Sequence, residues 1–298
     1  MLTQEEKDVM IEALRGHSVA KENITEEYKK NLLLADREEV TVKSDSGDLK
    51  CYVFTAKNRT ANCRVHINVH GGGFVRPHVI RDEIFSAKVA DAIEGIVVDV
   101  DYDLAPEYPY PTAFNQCYDV CKWVFSKLGD WDGDINRVSM GGYSAGANLT
   151  AAVCLKANQT KEFRLCLQVL GYGCFDMVTD PADKPDAENN MIPIERGRMF
   201  NLAYTNGNLE ILDDPYCSPL LASDEMLAGL PEALVLSAGK DNFRFEDEKY
   251  ASRLIAAGVK VTAKRFLKSN HGFIIHCVAE WEEGQQMIID SIRAAGLK

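Results

Sequence analysis

An α/β fold on a mostly parallel central sheet of about eight strands is what this sequence predicts. Two observations carry the expectation. From residue 64 onward, apolar β-branched runs alternate with helical stretches, the signature of strands joined by crossover helices. Runs such as Ile96-Val97-Val98 and Ala233-Leu234-Val235-Leu236 are apolar on both faces, as strands covered by helices on each side must be.

The elements follow in order. Thr3 with Glu6 three residues on is a capping-box pattern, and Gly16 is a helix stop. A first helix is predicted over about 3–15, and a second over about 25–35 starting at Thr25. Residues 39–42 and 49–54 read as strands joined through a Ser-Gly-Asp turn. Further strands are expected near 64–69, 95–100, 137–142, 165–170, 233–238 and 260–266. Helices are expected near 82–94, 111–128, 145–157, 246–257 and 278–295. Right-handed crossovers would put the C-terminal ends of the parallel strands on one edge, where ligands bind in such sheets. Residues 174–230 hold scattered Pro, Asp and Asn but no strong strand, and are too long for a plain connection. They are expected to form an insertion of short helices over the active edge. The expected division is therefore a helical cap segment over 1–37 and a catalytic domain over 38–298 that carries this cap insertion.

Bulk composition narrows the function classes. The net charge is −12, and no basic stripe exists to neutralise phosphates, so nucleic acid and anionic membranes are not expected partners. The charged start Met-Leu-Thr-Gln-Glu-Glu-Lys-Asp lacks the pattern of a secretory leader, and no run approaches 18 apolar residues. The 9 cysteines are odd in number and contain no C-x-x-C. Cys117 and Cys121 lie a helical turn apart without the His or Cys pair a zinc site needs. Buried reduced thiols, a cytoplasmic location, and neither metal nor cofactor are the expectation.

The chemistry concentrates at Gly142-Tyr143-Ser144-Ala145-Gly146, between an apolar strand-like run and an Ala-rich helical one. A G-x-S-x-G at a strand–turn–helix junction is a nucleophile elbow. Its glycines let the tight turn approach neighbouring backbone, and the following helix aims its first amides at the reaction centre. Chance would produce the pattern only about 0.06 times in a chain of this composition. A serine nucleophile needs an oxyanion hole, and His70-Gly71-Gly72-Gly73-Phe74 follows the strand at 64–69. The amides of Gly72, Gly73 and Ala145 are the candidate donors. A serine also needs a base. Among the six histidines, His17 lies in the N-terminal helical region, His66 is mid-strand, and His70 is placed to order its own loop. His78 is a weaker alternative near the active edge, and His276, in an apolar stretch, is expected to be packed. His271, in a loop just past the last strand, is the expected base. Asp241, at the end of the strand at 233–238, is the carboxylate expected to orient it. Glu246, Asp247 and Glu248 open the next helix, where carboxylates ordinarily serve the helix dipole. Phe74, Met191, Phe200 and Tyr204 are possible walls of the pocket.

With these residues in view, the sequence resembles the hormone-sensitive-lipase-like family of α/β-hydrolase esterases over nearly its whole length from about residue 38. The shared segments include Asp101-Tyr102-Asp103-Leu104-Ala105-Pro106-Glu107, Asp214-Pro215-Tyr216-Cys217-Ser218-Pro219-Leu220, Gly239-Lys240-Asp241 and His271-Gly272-Phe273. The resemblance implies an α/β-hydrolase fold, a triad at Ser144, Asp241 and His271, and an oxyanion hole at Gly72, Gly73 and Ala145. It implies hydrolysis of small esters with short acyl chains, acetyl to about hexanoyl, without metal or cofactor. It also implies a helical cap and, as in several members, a homodimer. The chain departs from the family pattern at Tyr143, where Asp is common, at Ala147, where Gly is common, and at Asn242, where Pro is common. Amide hydrolysis on the same machinery is an alternative. So is a non-catalytic small-molecule receptor of the same fold, although all three triad positions carry competent residues.

Overall fold

The computed structural model describes residues 1–16, 24–189 and 191–297. His17 lies outside the described residues. Eight strands form one sheet: β1 (Ala35–Val42), β2 (Leu49–Ala56), β3 (Cys63–Val69), β4 (Ile96–Asp101), β5 (Gly133–Tyr143), β6 (Leu167–Gly171), β7 (Glu232–Ala238) and β8 (Val261–Phe266). Their spatial order is β1-β2-β4-β3-β5-β6-β7-β8. β2 pairs antiparallel with both β1 and β4, and every other pairing is parallel. The β1–β2 pairing needs only the short connection between Val42 and Leu49, whereas β2 and β4 are separated along the chain by β3 and α3, and each parallel pairing needs a crossover.

The helices are α1 (Gln4–Arg15), α2 (Glu26–Lys29), α3 (Ile80–Ala92), α4 (Thr112–Lys127), α5 (Ala145–Thr160), α6 (Ile194–Tyr204), α7 (Asp224–Leu227), α8 (Arg244–Ala256), α9 (Phe273–His276) and α10 (Trp281–Ala294). The Thr3–Glu6 capping box forms as expected. Thr25 does cap the second helix, but α2 is short; the chain tightens into a 3-10 turn at Lys30–Leu34 and enters β1 at Ala35. The sheet therefore claims residues from 35 onward. The helix expected over 278–295 forms as α10; ahead of it stands the short α9, which was not expected, and Cys277 and Ala279, both with positive φ, separate the two. Between 174 and 230 lie α6, α7 and three 3-10 turns, with no strand among the described residues.

α5 runs through the centre of the molecule and is buried over most of its length. Its small residues make that possible, since Ala147, Ala151 and Ala152 let the helix pack close to the sheet. Around it one core gathers Val65, Ile67, Met140 and Leu155; a second, on the other sheet face, gathers Phe54, Phe85, Tyr143, Val169 and Phe273. Each fully buried side chain of this size contributes about 1.5–3 kcal/mol. All nine cysteines are buried free thiols. Among the described residues no helix is long and apolar enough to cross a membrane.

Candidate active site

The parallel strands deliver the site residues to one edge. β3 ends at the His70 loop, β5 at Ser144, β7 just before Asp241, and β8 just before His271. Ser144 sits at φ 55°, ψ −120°, a backbone region that ordinary residues avoid. Its N–H donates to Gly171 O at 2.9 Å, and its carbonyl accepts from Ala147 and Asn148 as α5 begins. The turn closes only because position 146 has no side chain: a Cβ there would lie 2.1 Å from Val69 O.

Ser144 Oγ lies 2.9 Å from His271 Nε2, and His271 Nδ1 lies 2.6 Å from Asp241 Oδ2. A carboxylate only accepts, so Nδ1 carries the proton and Nε2 faces the serine hydroxyl as acceptor. Asp241 is fully buried and also accepts the Phe243 N–H. Tyr172 and Phe243 set their rings edge-on to His271, with centroids 5.1 and 5.3 Å away. The imidazole is thus fixed in plane as well as at both nitrogens.

The glycine loop lies directly against the elbow. A Cβ at Gly71 would come 2.7 Å from Tyr143 O and 3.3 Å from Ser144 Cβ. Gly72 and Gly73 both have positive φ, at 120° and 61°. Gly72 O accepts from Val75 and Arg76, which pins the far side of the loop. Ala145 is the first residue of α5, so its amide is one of those a helix leaves without an internal acceptor.

The other histidines take distinct places. His70 bonds through Nδ1 to Gly71 O at 2.7 Å and stacks on Tyr102, whose hydroxyl donates to His70 O. Burial, reinforced by nearby His78, holds His70 down at about 3, so it is neutral. His78 is engaged with Asp99 at 2.9 Å, and it is His271 that meets the serine hydroxyl. His276 is not packed in the core: it lines the cavity, and burial with the charge of Arg81 lowers it to about 4.

Three side chains placed by tertiary contacts were not legible as site supports. Glu246 and Asp247 do not simply serve the dipole of α8. Glu246 accepts the N–H groups of Phe175 and Asp176, both at 2.8 Å, and pairs with Lys184. Asp247 accepts the Gly173 N–H at 2.7 Å. Both carboxyls are raised from their ordinary range by burial. Asn148, inside α5, donates to Cys174 O and Cys217 O. These bonds tie the loop after β6 to the elbow helix. The only signal in the sequence was polarity inside a helical stretch. Glu248 behaves differently and pairs on the surface with Arg265.

A cavity of about 340 Å³ opens onto Ser144 and His271, walled by the glycine loop and by Phe74, Met177, Met191, Phe200 and Phe243. Tyr204 is not a wall: it is fully buried and stacks on Phe74 from behind, with centroids 3.7 Å apart. No group of His, Cys, Asp and Glu among the described residues could hold a metal ion.

A family model described as the alpha/beta hydrolase fold matches residues 66–275. The chain is 28% identical over 246 residues to an arylesterase of Saccharolobus solfataricus, covering 81% of this chain and 78% of that one. It is 30% identical over 220 residues to the carboxylesterase NlhH of Mycobacterium tuberculosis, covering 72% and 67%. An esterase structure from Pyrobaculum calidifontis superposes with a TM-score of 0.81 at 25% identity, covering 99% of both chains. The chain therefore belongs to the α/β-hydrolase fold family. Within it, the named relatives place the chain among the carboxylic ester hydrolases of the hormone-sensitive-lipase-like branch.

Proposed function

We propose that the chain hydrolyses short-acyl carboxylic esters through Ser144, His271 and Asp241. The supporting observation is the unbroken line of contacts from Asp241 Oδ2 through the His271 ring to Ser144 Oγ, at 2.6 and 2.9 Å. His271 accepts the serine proton as Oγ attacks the ester carbonyl. The amides of Gly72, Gly73 and Ala145 receive the developing oxyanion, and each such donor lowers the barrier by about 3–4 kcal/mol. Asp241 holds the imidazole in the required tautomer and stabilises the imidazolium without taking its proton. His271 then protonates the leaving alkoxide. In the second half it deprotonates water, which cleaves the acyl-enzyme and releases the acid. A cavity of about 340 Å³ suits a small ester and supports acyl groups from acetyl to about hexanoyl.

The test compares Ser144→Ala with the unmodified chain on nitrophenyl esters from acetyl to dodecanoyl. The expected result is a loss of about 10⁴-fold or more in kcat for the variant. Hydrolysis by the variant at the unmodified rate would remove the serine mechanism. An optimum at dodecanoyl would remove the short-acyl specificity alone.

A further inference from the structure

The whole chain carries a net charge of −12, yet its cavity is walled by cations. Arg76, Arg81 and Arg196 line it together with Arg15 and Lys184, and Asp82 is the one acidic residue in the wall among the described residues. Most of these cations have partners in the protein: Arg15 forks onto Glu107, Lys184 pairs with Glu246, and Arg76 and Arg81 are engaged as well. Asp82 is committed too, accepting the Val79 N–H where α3 begins.

Arg196 is different. It forms no ion pair with any described residue. Its Nη2 donates to Leu14 O at 3.2 Å, and its guanidinium carbon lies 5.8 Å from the Phe200 ring centroid. Phe200 in turn abuts Gly73, where a Cβ would come 2.4 Å from the ring. One aromatic ring thus separates this guanidinium from the oxyanion loop. Arg76 also lines the cavity and adjoins the same loop, its backbone N–H donating to Gly72 O. Burial lowers Arg76 from its ordinary range, and repulsion from Arg196 and Arg81 adds to this, as expected where like charges share a cavity.

A second observation points the same way. Asn242 is 3% exposed, lines the cavity, and has neither its amide nitrogen nor its amide oxygen bonded within the protein. A buried polar group left so costs about 1–3 kcal/mol, which a bound polar ligand would recover. It follows Asp241 directly, so it borders the reacting centre.

We propose that the ester taken by this site carries a carboxylate, held by Arg196 in the positive field of Arg76 and Arg81, with Asn242 as a further polar anchor. A guanidinium presents a planar fork that matches a carboxylate, and the cavity strengthens the attraction by excluding water. This inference rests on the esterase reading and names its substrate class.

Two ester pairs test it. One places the charge on the acyl side, 4-nitrophenyl hydrogen adipate against 4-nitrophenyl hexanoate. The other places it on the leaving group, 4-carboxyphenyl acetate against 4-carbamoylphenyl acetate. In at least one pair, the anionic member should have the higher kcat/KM by about ten-fold, and added salt should shrink the difference. Arg196→Gln should bring that ratio to near one, whereas Arg196→Lys should keep most of it. The lysine variant separates lost charge from a loosened contact with Leu14. Equal or better turnover of the neutral member in both pairs overturns the inference and leaves the esterase reading intact. So does a preference that Arg196→Gln leaves unchanged. Failure to cleave any of the four esters overturns both.

Discussion

The His78 imidazole meets the Asp99 carboxylate at 2.9 Å with both side chains almost wholly buried. Asn68 completes the carboxylate's bonding from β3, and the His78 ring lies edge-on to His70 at the root of the glycine loop. Burial opposes a charge on His78, but Asp99, with Asp82 and Asp101 beyond it, outweighs that and pushes His78 up to about 9. An imidazolium therefore sits beneath the loop at neutral pH.

The sign of the pH effect follows. His78 binds its proton more tightly folded than unfolded, so its stabilisation is complete below its ordinary value of about 6.5 and disappears as pH rises through about 9. Thermal denaturation should show Tm falling from pH 7 to 9 in the unmodified chain, and a flatter profile in His78→Gln. Because that variant leaves Asp99 buried without its cation, it should also lose about 3–5 kcal/mol at pH 7 by urea denaturation. A stability equal to the parent's would show that the pair is dispensable.

Glu246 links the end of β6 to α8 and Lys184. Glu246→Ala should cost about 3–5 kcal/mol, because Lys184 and two backbone amides lose a buried partner together. The loop it holds contains Cys174, which borders the cavity, so KM should rise as well. Urea titration and steady-state kinetics on one preparation give both readings.

Tyr143 fills the space between Phe85 and Tyr172, and a Cβ on Gly171 would meet its ring at 2.7 Å. Its hydroxyl is buried without a partner. Tyr143→Phe should therefore be as stable as the parent or slightly more so, while Tyr143→Ala should lose about 3–5 kcal/mol to the cavity it opens. A large loss in the phenylalanine variant would mean the hydroxyl has a partner after all.

Gly73→Ala places a methyl group against the Phe200 ring and keeps a residue with a side chain at φ 61°. The loop must shift, and kcat should fall by about 10²-fold or more, the usual scale for losing an oxyanion donor. Adding Phe200→Ala removes the clash and should return part of the activity. If the double variant is no better than the single one, backbone strain rather than the ring accounts for the loss.

The sequence by itself determined the alternation of strands and helices, the sheet edge where the chemistry gathers, and the order Ser144, Asp241, His271. Those features are local: periodicity sets the elements, and glycine spacing sets the turns. It missed the early end of α2 and the short helix α9, where chain direction is set by what the segment packs on rather than by propensity. It assigned Glu246 and Asp247 to a helix dipole because the backbone N–H groups that donate to them lie some 70 residues away along the chain. Tyr143 and Asn242 stood out only as departures from the family pattern, with no role attached, and Arg196 did not stand out at all. Only the tertiary structure decided that the first fills a core, that the second is buried without a partner, and that the third meets the active cavity. Each of those properties depends on which distant segments come together, and folding alone brings them there.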